Sequence, residues 1–339
     1  MIFFRLFLLA FVLCSCSRSE KTTLKIFTWA QFIDPEVIEK FEKEYNCCVC
    51  LDYFDSNESM YAKIQLGAQY DLLMPSSYFA QSLNHQNLLA TLDKDKLPNL
   101  KHLDSFYLNY LSDSSCEYSV PYILCYTGIG YLKNRVEIQD FSWKNLARKD
   151  LKIRTTILND YRESLGIALM TLGFNPNTIN PIEIEQAGQL LIEWKRNIAK
   201  FENEQYKMGI DSGEFLLCHG YSGDFLQVAL ENPSLEFFLP SEGFFITSDV
   251  FVIPKKSSEH ELAHAFINFM HEPDHAAANM VYNFYLCPNK NAYKHLPDGL
   301  KNNRLLFIDD KTLSRSHKIN DLGEDTLHYL KVWENVKNN

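Results

Sequence analysis

The chain has 339 residues, of which 46% are hydrophobic and 22% are charged, a composition typical of a globular protein long enough for two domains. Its 43 acidic and 33 basic residues give a formal net charge of −10, which excludes a surface built to neutralise phosphates and hence a nucleic-acid partner. A negatively charged protein attracts cationic ligands instead.

The N-terminal segment predicts export. Residues 1–16, MIFFRLFLLAFVLCSC, combine a single arginine, an apolar core and small residues before Cys16, as in a secretory signal peptide and unlike a membrane span. The final LCSC resembles the lipobox of bacterial lipoproteins, which implies cleavage before Cys16 and acylation of its thiol; an ordinary signal peptide cut nearby is the alternative. We expect residues 17–23 to form a polar tether, and the mature protein to be periplasmic and anchored by lipid to a bacterial membrane.

The next segments predict a β-α-β unit. LKIFTWAQFI reads as a short buried strand that enters a loop, Pro35 opens an amphipathic helix, and CCVCLDYF reads as a second strand. YDLLMPSSYFA then gives a short apolar strand that ends at Pro75, and the alternation of strands and helices continues. We therefore predict an α/β protein with mostly parallel sheets, in which ligands bind at the carboxyl ends of the strands, where the loops TWAQF, PSSYF and NDYRE would lie.

Seven cysteines remain after cleavage at the predicted site, and an odd number leaves at least one unpaired. Adjacent cysteines of the CCVC run at 47–50 would point to opposite faces of a strand and so could not chelate one metal ion together. We predict that the cysteines are small buried residues, or form at most one disulfide. The seven are Cys47, Cys48, Cys50, Cys116, Cys125, Cys218 and Cys287.

Two long strand-forming runs, at residues 120–133 and 243–254, predict strands that cross between two lobes. Between them, NDYRE at 159–163 places Asp160 and Glu163 in the first turn of a helix. One interpretation is a cap, in which Asp160 accepts backbone N–H bonds and Glu163 reaches back. The other is a pair of acids at the lip of a cleft that binds a cation.

Two motifs suggest enzymes and fail on inspection. HEPDH at 271–275 matches the zinc-protease pattern, but Pro273 should end one helix and begin another, which separates the two histidines. GYSG at 220–223 is one residue short of the nucleophile elbow of serine hydrolases. There is no phosphate-cradling glycine loop either, and we expect no enzyme activity, no metal and no cofactor.

Several segments, in order along the mature chain, resemble the spermidine/putrescine-binding proteins of bacterial ABC importers. The resemblance implies a two-lobed periplasmic-binding-protein fold of type II, with a ligand cleft between lobes that close like a hinge. It implies one lobe of residues 22–127 and 250–292, and another of 128–249 and 293–339. The segments that carry it are DSNESMYAKI at 55–64, YDLLMPSSYF at 70–79, VPYI at 120–123, NDYRE followed by IALMTLGF, and SDVFVIP at 248–254.

The resemblance also implies a ligand site of acids and aromatic residues, which suits the ammonium groups and methylenes of a polyamine. The family's acids fall on Asp160, Glu163 and Asp249. Its aromatic residues fall on Trp29, Phe32, Tyr78, Tyr221 and Tyr285, and a hydroxyl falls on Ser76. The chain departs from the family at four of these positions. Gln31 stands where the family has Glu, Thr247 where it has a stacking Trp, Tyr221 where it has another Trp, and Ile319 near where it has a Gln. One end of the site has therefore lost charge and aromatic area.

We therefore predict a lipid-anchored, monomeric solute-binding protein that delivers putrescine or spermidine to the permease and ATPase of an ABC importer. Alternatives are the same fold with another small cation, such as a basic amino acid, or a polyamine sensor. For the site residues the structural alternatives are a helix cap for Asp160 and Glu163, packing between lobes for Trp29 and Tyr285, and a hinge hydrogen bond for Asp249.

Overall fold

The computed structural model describes residues 21–110 and 112–339. The predicted signal peptide, Cys16 and most of the tether lie outside the described residues. Within the described part of the chain, no helix is both long and apolar enough to cross a membrane.

The described residues form alternating strands and helices, as predicted. The strands are β1 Thr23–Thr28, β2 Cys48–Tyr53, β3 Leu72–Leu73, β4 Val120–Leu132, β5 Thr155–Ile157, β6 Lys200–Phe201, β7 Leu217–Tyr221, β8 Leu235–Phe238, β9 Phe244–Phe251 and β10 Ser316–Lys318. The helices are α1 Pro35–Tyr45, α2 Asn57–Gln65, α3 Ser77–His85, α4 Ser105–Leu108, α5 Tyr161–Thr171, α6 Pro181–Lys195, α7 Gln205–Ser212, α8 Ser222–Glu231, α9 His260–Met270, α10 Pro273–Asn283, α11 Asp298–Lys301, α12 Asp310–Leu313 and α13 Thr326–Asn338. Short 3-10 helices lie at Lys94–Lys96, Pro98–His102, Trp143–Ala147, Lys149–Leu151, Tyr293–His295 and Gly323–Asp325.

The strands form two sheets. The smaller sheet is parallel, with order β2-β1-β3, and Ile26 at its centre pairs with Leu51 on one side and Leu72 on the other. The larger sheet is mixed, with order β10-β9-β4-β7-β5-β6 and β8 beside β4. Within it, β4 runs antiparallel to β7, β8 and β9, while β5, β6 and β7 are parallel, as are β9 and β10.

The long run at 120–133 forms β4, and all thirteen of its residues are buried. The first half of β4 pairs with β9 and the second half with β7 and β8. Tyr122 and Ile123 belong to the hydrophobic core beside the small sheet, whereas Ile129 and Tyr131 belong to the larger core beyond it. A continuous strand therefore serves both cores.

Helix starts follow the local sequence. Asp34 caps α1 by accepting the N–H of Glu36, and Pro35 occupies the first turn, where its missing N–H costs nothing. The HEPDH segment divides as predicted: α9 ends at Met270 and α10 begins at Pro273. Among the described residues no group of three or more His, Cys, Asp or Glu side chains is arranged to hold a metal ion.

The cysteine prediction needs one correction. Five of the seven thiols are buried and all seven are free, but Cys48 and Cys50 are exposed. They lie two residues apart on β2, the edge strand of the small sheet, so both point to the same face, and that face is open to solvent.

Candidate functional site

Three of the predicted residues follow directly on β1, at its carboxyl end. The Trp29 and Phe32 ring centroids lie 6.3 Å apart, and the Phe32 ring lies 5.7 Å from that of Tyr285. Gln31 has φ 58°, a left-handed conformation that turns the chain, and its side chain is exposed. The structure therefore joins these aromatic residues in one cluster and leaves Gln31 at its edge.

Asp249 lies on β9 opposite Ser76, and the two residues form an isolated antiparallel bridge. The Ser76 hydroxyl donates to Asp249 Oδ1 at 2.9 Å. Burial of this carboxyl, which is only 8% exposed, raises its pKa to about 7, although Ser76 and the nearby Trp29 indole favour the ionised form. The Trp29 Nε1–H approaches Asp249 without the geometry of a hydrogen bond.

Buried Asn57, the first residue of α2, supports this group from behind. Its Nδ2 donates to Ser76 Oγ at 3.2 Å and to the Tyr78 hydroxyl at 3.4 Å, and its Oδ1 accepts from the Ser76 N–H at 3.1 Å. Because the Ser76 oxygen accepts from Asn57, its single proton is free to go to Asp249. Asn57 thus fixes two of the predicted site residues and, through Ser76, a third.

Asp160 is the N-cap of α5. Its Oδ1 accepts from the N–H groups of Arg162 at 2.8 Å and Glu163 at 3.0 Å. Burial raises the pKa of Asp160, and these two backbone bonds oppose the rise. The capping interpretation is therefore right for Asp160.

Glu163 does not reach back to complete a capping box. It is 1% exposed, and neither carboxylate oxygen has a hydrogen-bond partner among the described residues. Burial, followed by the charge of Asp160, raises the pKa of Glu163 well above its usual range. His219 Nε2 lies 3.8 Å from Glu163 Oε2, and the Thr127 hydroxyl is also near this carboxyl.

Tyr221 and Tyr285 close another side of the site. Tyr221 ends β7, and its backbone N–H donates to the Tyr206 hydroxyl at 3.3 Å. The Tyr285 hydroxyl donates to Asp224 Oδ1 at 3.0 Å, and Tyr206 donates to the second oxygen of the same carboxylate. The Tyr285 ring lies against Gly223, where an added Cβ would come within 2.6 Å of it.

The two remaining positions at which the chain departs from the resembled family have separate surroundings. The Thr247 hydroxyl lies 2.8 Å from the Cys125 thiol. Burial raises the pKa of the Cys125 thiol, and the nearby charges of Asp249 and Glu163 raise it further. Ile319 is buried in the larger core. Thr247 therefore lies near two of the predicted acids through Cys125, and Ile319 contributes an apolar side chain to the core.

Glu58, Asp224 and His219 complete the polar groups around the site, and the sequence interpretation did not single them out. Glu58 follows Asn57 on α2. The residue is exposed, but partial desolvation of its carboxyl, followed by the charge of Asp160, raises its pKa to about 7. Asp224 comes three residues after Tyr221, and His219 comes two before it on the same strand. The signal available was position: Asp224 and His219 lie within three residues of Tyr221, and Glu58 lies within the DSNESMYAKI segment at 55–64.

The assembled site is a set of carboxyl groups lined by aromatic rings, and two of these groups, Glu163 and Asp249, are buried. Charged acids brought this close repel one another and are poorly solvated, so the site favours either protons or a cation with several N–H donors. Within the described residues no serine, threonine or cysteine of the site is paired with a histidine base, as nucleophilic catalysis would require. The arrangement suits binding rather than chemistry.

Comparisons with known proteins agree with this geometry. The family model described as bacterial extracellular solute-binding protein matches residues 36–307. The spermidine/putrescine-binding periplasmic protein of Salmonella typhimurium is 31% identical over 332 residues, covering 97% of this chain and 95% of that protein.

Two solved structures are also similar. A spermidine/putrescine ABC transporter protein from Listeria monocytogenes has a TM-score of 0.89 at 33% identity, over 94% of this chain and 99% of that one. The Tp0655 (TpPotD) lipoprotein of Treponema pallidum has a TM-score of 0.84 at 33% identity, over 93% and 99%. These similarities confirm the expected α/β periplasmic-binding architecture and the expectation of a solute-binding protein rather than an enzyme.

Proposed function

Because the chain belongs to the family of bacterial extracellular solute-binding proteins, we propose that it captures a polyamine and delivers it to an ABC importer. The relatives named for spermidine and putrescine binding support this ligand class. Putrescine and spermidine both fit the proposal, because each carries ammonium groups separated by short runs of methylenes.

One observation carries the proposal: Glu163 and Asp249 are buried and Asp160 is half-buried, and loss of solvation raises the pKa of each of these carboxyls. A buried carboxylate is costly unless a charge compensates it, and an alkylammonium group offers both the charge and N–H donors. Asp160 is explained in part by its cap of α5, whereas the charges of Glu163 and Asp249 would be compensated only when such a ligand is bound.

The aromatic residues suit the remainder of such a ligand. Trp29, Phe32 and Tyr285 form one connected cluster, and Tyr78 and Tyr221 lie on other sides of the acids. Flat apolar rings cover methylenes, and their faces attract a cation by about 0.5–2 kcal/mol each. Acids and rings together would select an extended alkyl chain with charged ends.

We further propose that residues 22–127 with 250–292, and 128–249 with 293–339, act as lobes that close around the ligand. The hydrogen bond from Ser76 to Asp249 and that from Tyr285 to Asp224 would then belong to the closed form. The protein would act as a monomer and present the closed lobes to the importer's permease.

Calorimetry of the chain from residue 17 against putrescine, cadaverine, spermidine, lysine and arginine tests the ligand. Binding of the diamines or spermidine, with lysine and arginine much weaker, is the expected result. A preference for a basic amino acid would replace the polyamine by the alternative ligand class, and no binding by any of the five would overturn the proposal.

The lipid anchor is part of the same proposal, supported by LCSC at the end of the signal peptide and by the similarity to a Treponema lipoprotein. The wild-type protein should partition into the detergent phase and Cys16→Ala into the aqueous phase. Partition of the wild-type protein into the aqueous phase would contradict the anchor and the membrane-bound periplasmic location.

A further inference from the structure

The strand β2 carries two exposed thiols on one face. Cys48 and Cys50 are exposed and free, whereas the other five cysteines of the described residues are buried. Residues two apart in a strand point to the same face, so both thiols lie on the same side of the small sheet. Because β2 is the edge strand, no strand of the described part of the chain lies beyond it. Solvent therefore reaches two neighbouring sulfurs at once.

The register of the small sheet fixes the direction of these thiols. Val49 and Leu51 alternate with the two cysteines and pack against the hydrophobic core beside the sheet. Leu51 pairs with Ile26 of the central strand, a fully buried member of that core. A slip of one residue would bury the thiols and expose Val49 and Leu51 instead. The packing of one face of β2 thus holds both thiols on the other.

The two thiols cannot bond to each other while the strand is intact. Residues two apart in a strand are separated by about 6.7 Å. The Cβ atoms of a disulfide lie about 3.5–4.5 Å apart, so a bond between the two sulfurs would require the backbone to move. In the oxidising compartment proposed for this protein, exposed thiols that cannot pair are open to further oxidation unless a ligand covers them.

The same spacing suits a metal ion that takes two ligands in a line. A bond from metal to thiolate is about 2.3 Å long, so two sulfurs on opposite sides of one ion are about 4.6 Å apart. Strand side chains lean along the strand in either direction, according to χ1. Two sulfurs that each lean by about 1 Å towards the other reduce the 6.7 Å spacing to about 4.7 Å. The undistorted strand can therefore supply both ligands.

The ligand set selects the kind of ion. Zinc prefers four ligands, and among the described residues no group of three or more His, Cys, Asp or Glu side chains is arranged to hold a metal. Asp52, the next residue on this face of β2, already accepts hydrogen bonds from Lys63 and Tyr70. Two thiolates without a third ligand suit a soft ion of low coordination number such as Cu(I).

The charge of the neighbouring strand fits the same ion. Two thiolates and one monovalent ion leave a net charge of −1. Lys25 pairs with Cys50 in the parallel register of β1 with β2, so it lies on the same face, and it is exposed. Its ammonium group would offset the negative charge of the complex.

We propose that Cys48 and Cys50 form a surface site for one Cu(I) ion. The sequence argument against a metal in the CCVC run concerned adjacent cysteines, whereas these two are separated by Val49 and share a face. The site goes beyond the proposed polyamine function. Cys48 begins β2, whereas Trp29 follows the opposite, carboxyl end of the parallel strand β1.

Titration of the reduced chain from residue 17 with Cu(I), without oxygen and against bathocuproine disulfonate as a competing chelator, tests the proposal. One Cu(I) per chain should be retained, and X-ray absorption spectroscopy should show two sulfur ligands. Cys48→Ser and Cys50→Ser should each lower Cu(I) affinity roughly a hundredfold or more, since even residues that only support a metal ligand contribute about tenfold to a hundredfold. Both positions are exposed, so both variants should fold as the wild type does.

Cys47→Ala is the matched control, because Cys47 belongs to the same run but is 2% exposed and lies in the core. It should retain Cu(I) at wild-type affinity. Lys25→Gln should weaken binding by no more than about fivefold, as expected for an exposed charge.

Four results would overturn the site. They are loss of all Cu(I) from the wild-type protein to the chelator, retention by Cys48→Ser or Cys50→Ser at wild-type affinity, and an equal loss in Cys47→Ala. The fourth is a dimer in analytical ultracentrifugation that holds one ion through four sulfurs, since the ion would then lie between two copies of the chain.

Discussion

The two buried acids Asp249 and Glu163 have the same role in the proposed function and opposite surroundings. Asp249 accepts a hydrogen bond from Ser76, which is itself held by Asn57. Glu163 has no hydrogen-bond partner in the described part of the chain, and the His219 imidazole, which burial keeps neutral by lowering its pKa, lies 3.8 Å away. One carboxyl is prepared by the protein, and the other is left for the ligand to satisfy.

The comparison separates what each acid contributes to stability from what it contributes to binding. An acid already bonded within the protein supports the fold and has part of its charge compensated before ligand arrives. An acid buried without a partner destabilises the ligand-free fold and gains the full interaction when a cation binds. Removing the charge should therefore have different consequences at the two positions.

The largest effect is expected from Glu163→Gln. Putrescine affinity should fall roughly a hundredfold or more, because a buried ammonium then faces a neutral amide, a loss of about 2–5 kcal/mol or above. The ligand-free variant should be at least as stable as the wild-type protein, since an unpartnered acid has been removed. Calorimetry measures the affinity and thermal unfolding measures the stability. Lower stability with unchanged affinity would show that Glu163 has a structural role and does not bind the ligand.

Asp249→Asn should cause the next largest loss of putrescine affinity. The amide oxygen can still accept from Ser76, so the local structure is kept, while affinity falls by roughly thirtyfold through loss of the charge. Ser76→Ala should cost less, because it leaves the carboxylate in place. If Asp249→Asn binds polyamines as the wild-type protein does but unfolds at a clearly lower temperature, Asp249 is a structural residue.

The dependence on pH follows from the raised pKa values of both acids. With its pKa at about 7, the Asp249 carboxyl is mostly protonated at pH 5.5 and mostly ionised at pH 7.5. Polyamine ammonium groups stay charged across this range, so affinity should fall about twentyfold from pH 7.5 to 5.5 as Asp249 alone is protonated. Affinity that rises on acidification would contradict this assignment.

Stability of the ligand-free protein should change in the opposite direction. Asp249 has a folded-state pKa of about 7, above that of the unfolded chain, so the ligand-free protein should be most stable below about pH 4 and lose stability as pH rises through about 7. The raised pKa of Glu163 acts in the same direction. The rise in unfolding temperature on adding putrescine should therefore grow between pH 5 and pH 8. Differential scanning calorimetry across that range measures it.

The smallest effect concerns Asp160, which both caps α5 and faces the site. Asp160→Ala should lower stability by about 0.5–2 kcal/mol through loss of the cap, whereas Asp160→Asn keeps the cap and leaves stability near that of the wild type. Both should weaken putrescine binding about equally, because both remove the charge. Chemical denaturation together with calorimetry tests this, and full affinity in Asp160→Asn would make Asp160 a cap alone.

The sequence predicted those features that depend on local chemistry. Long runs of strand-forming residues located β4 and β9, Pro273 divided α9 from α10, and the position of Asp160 before an apolar run identified its cap. The loops after the strands were likewise expected at the site. In each case neighbouring residues determine the structure.

The features that the sequence did not indicate depend on pairing between distant segments. The neighbours of Glu163 cannot be predicted from its own helix, because His219 and Thr127 come near it only through the register of β7 with β4. Asn57 acquires its role from Ser76 and Tyr78, which lie on another segment. The exposure of Cys48 and Cys50 follows from the place of β2 at the edge of its sheet, which a β-α-β pattern does not specify.

The shared strand β4 also limits the order in which the chain can fold. Its partners β7, β8 and β9 begin at Leu217, Leu235 and Phe244, and its Leu124 pairs with Leu286. Neither core can be completed on a ribosome until most of the polypeptide has been made, since such long-range pairings must await the later segments. Once formed, the two cores should unfold in a single transition. Unfolding either core alone would expose part of β4, a strand that is buried along its whole length.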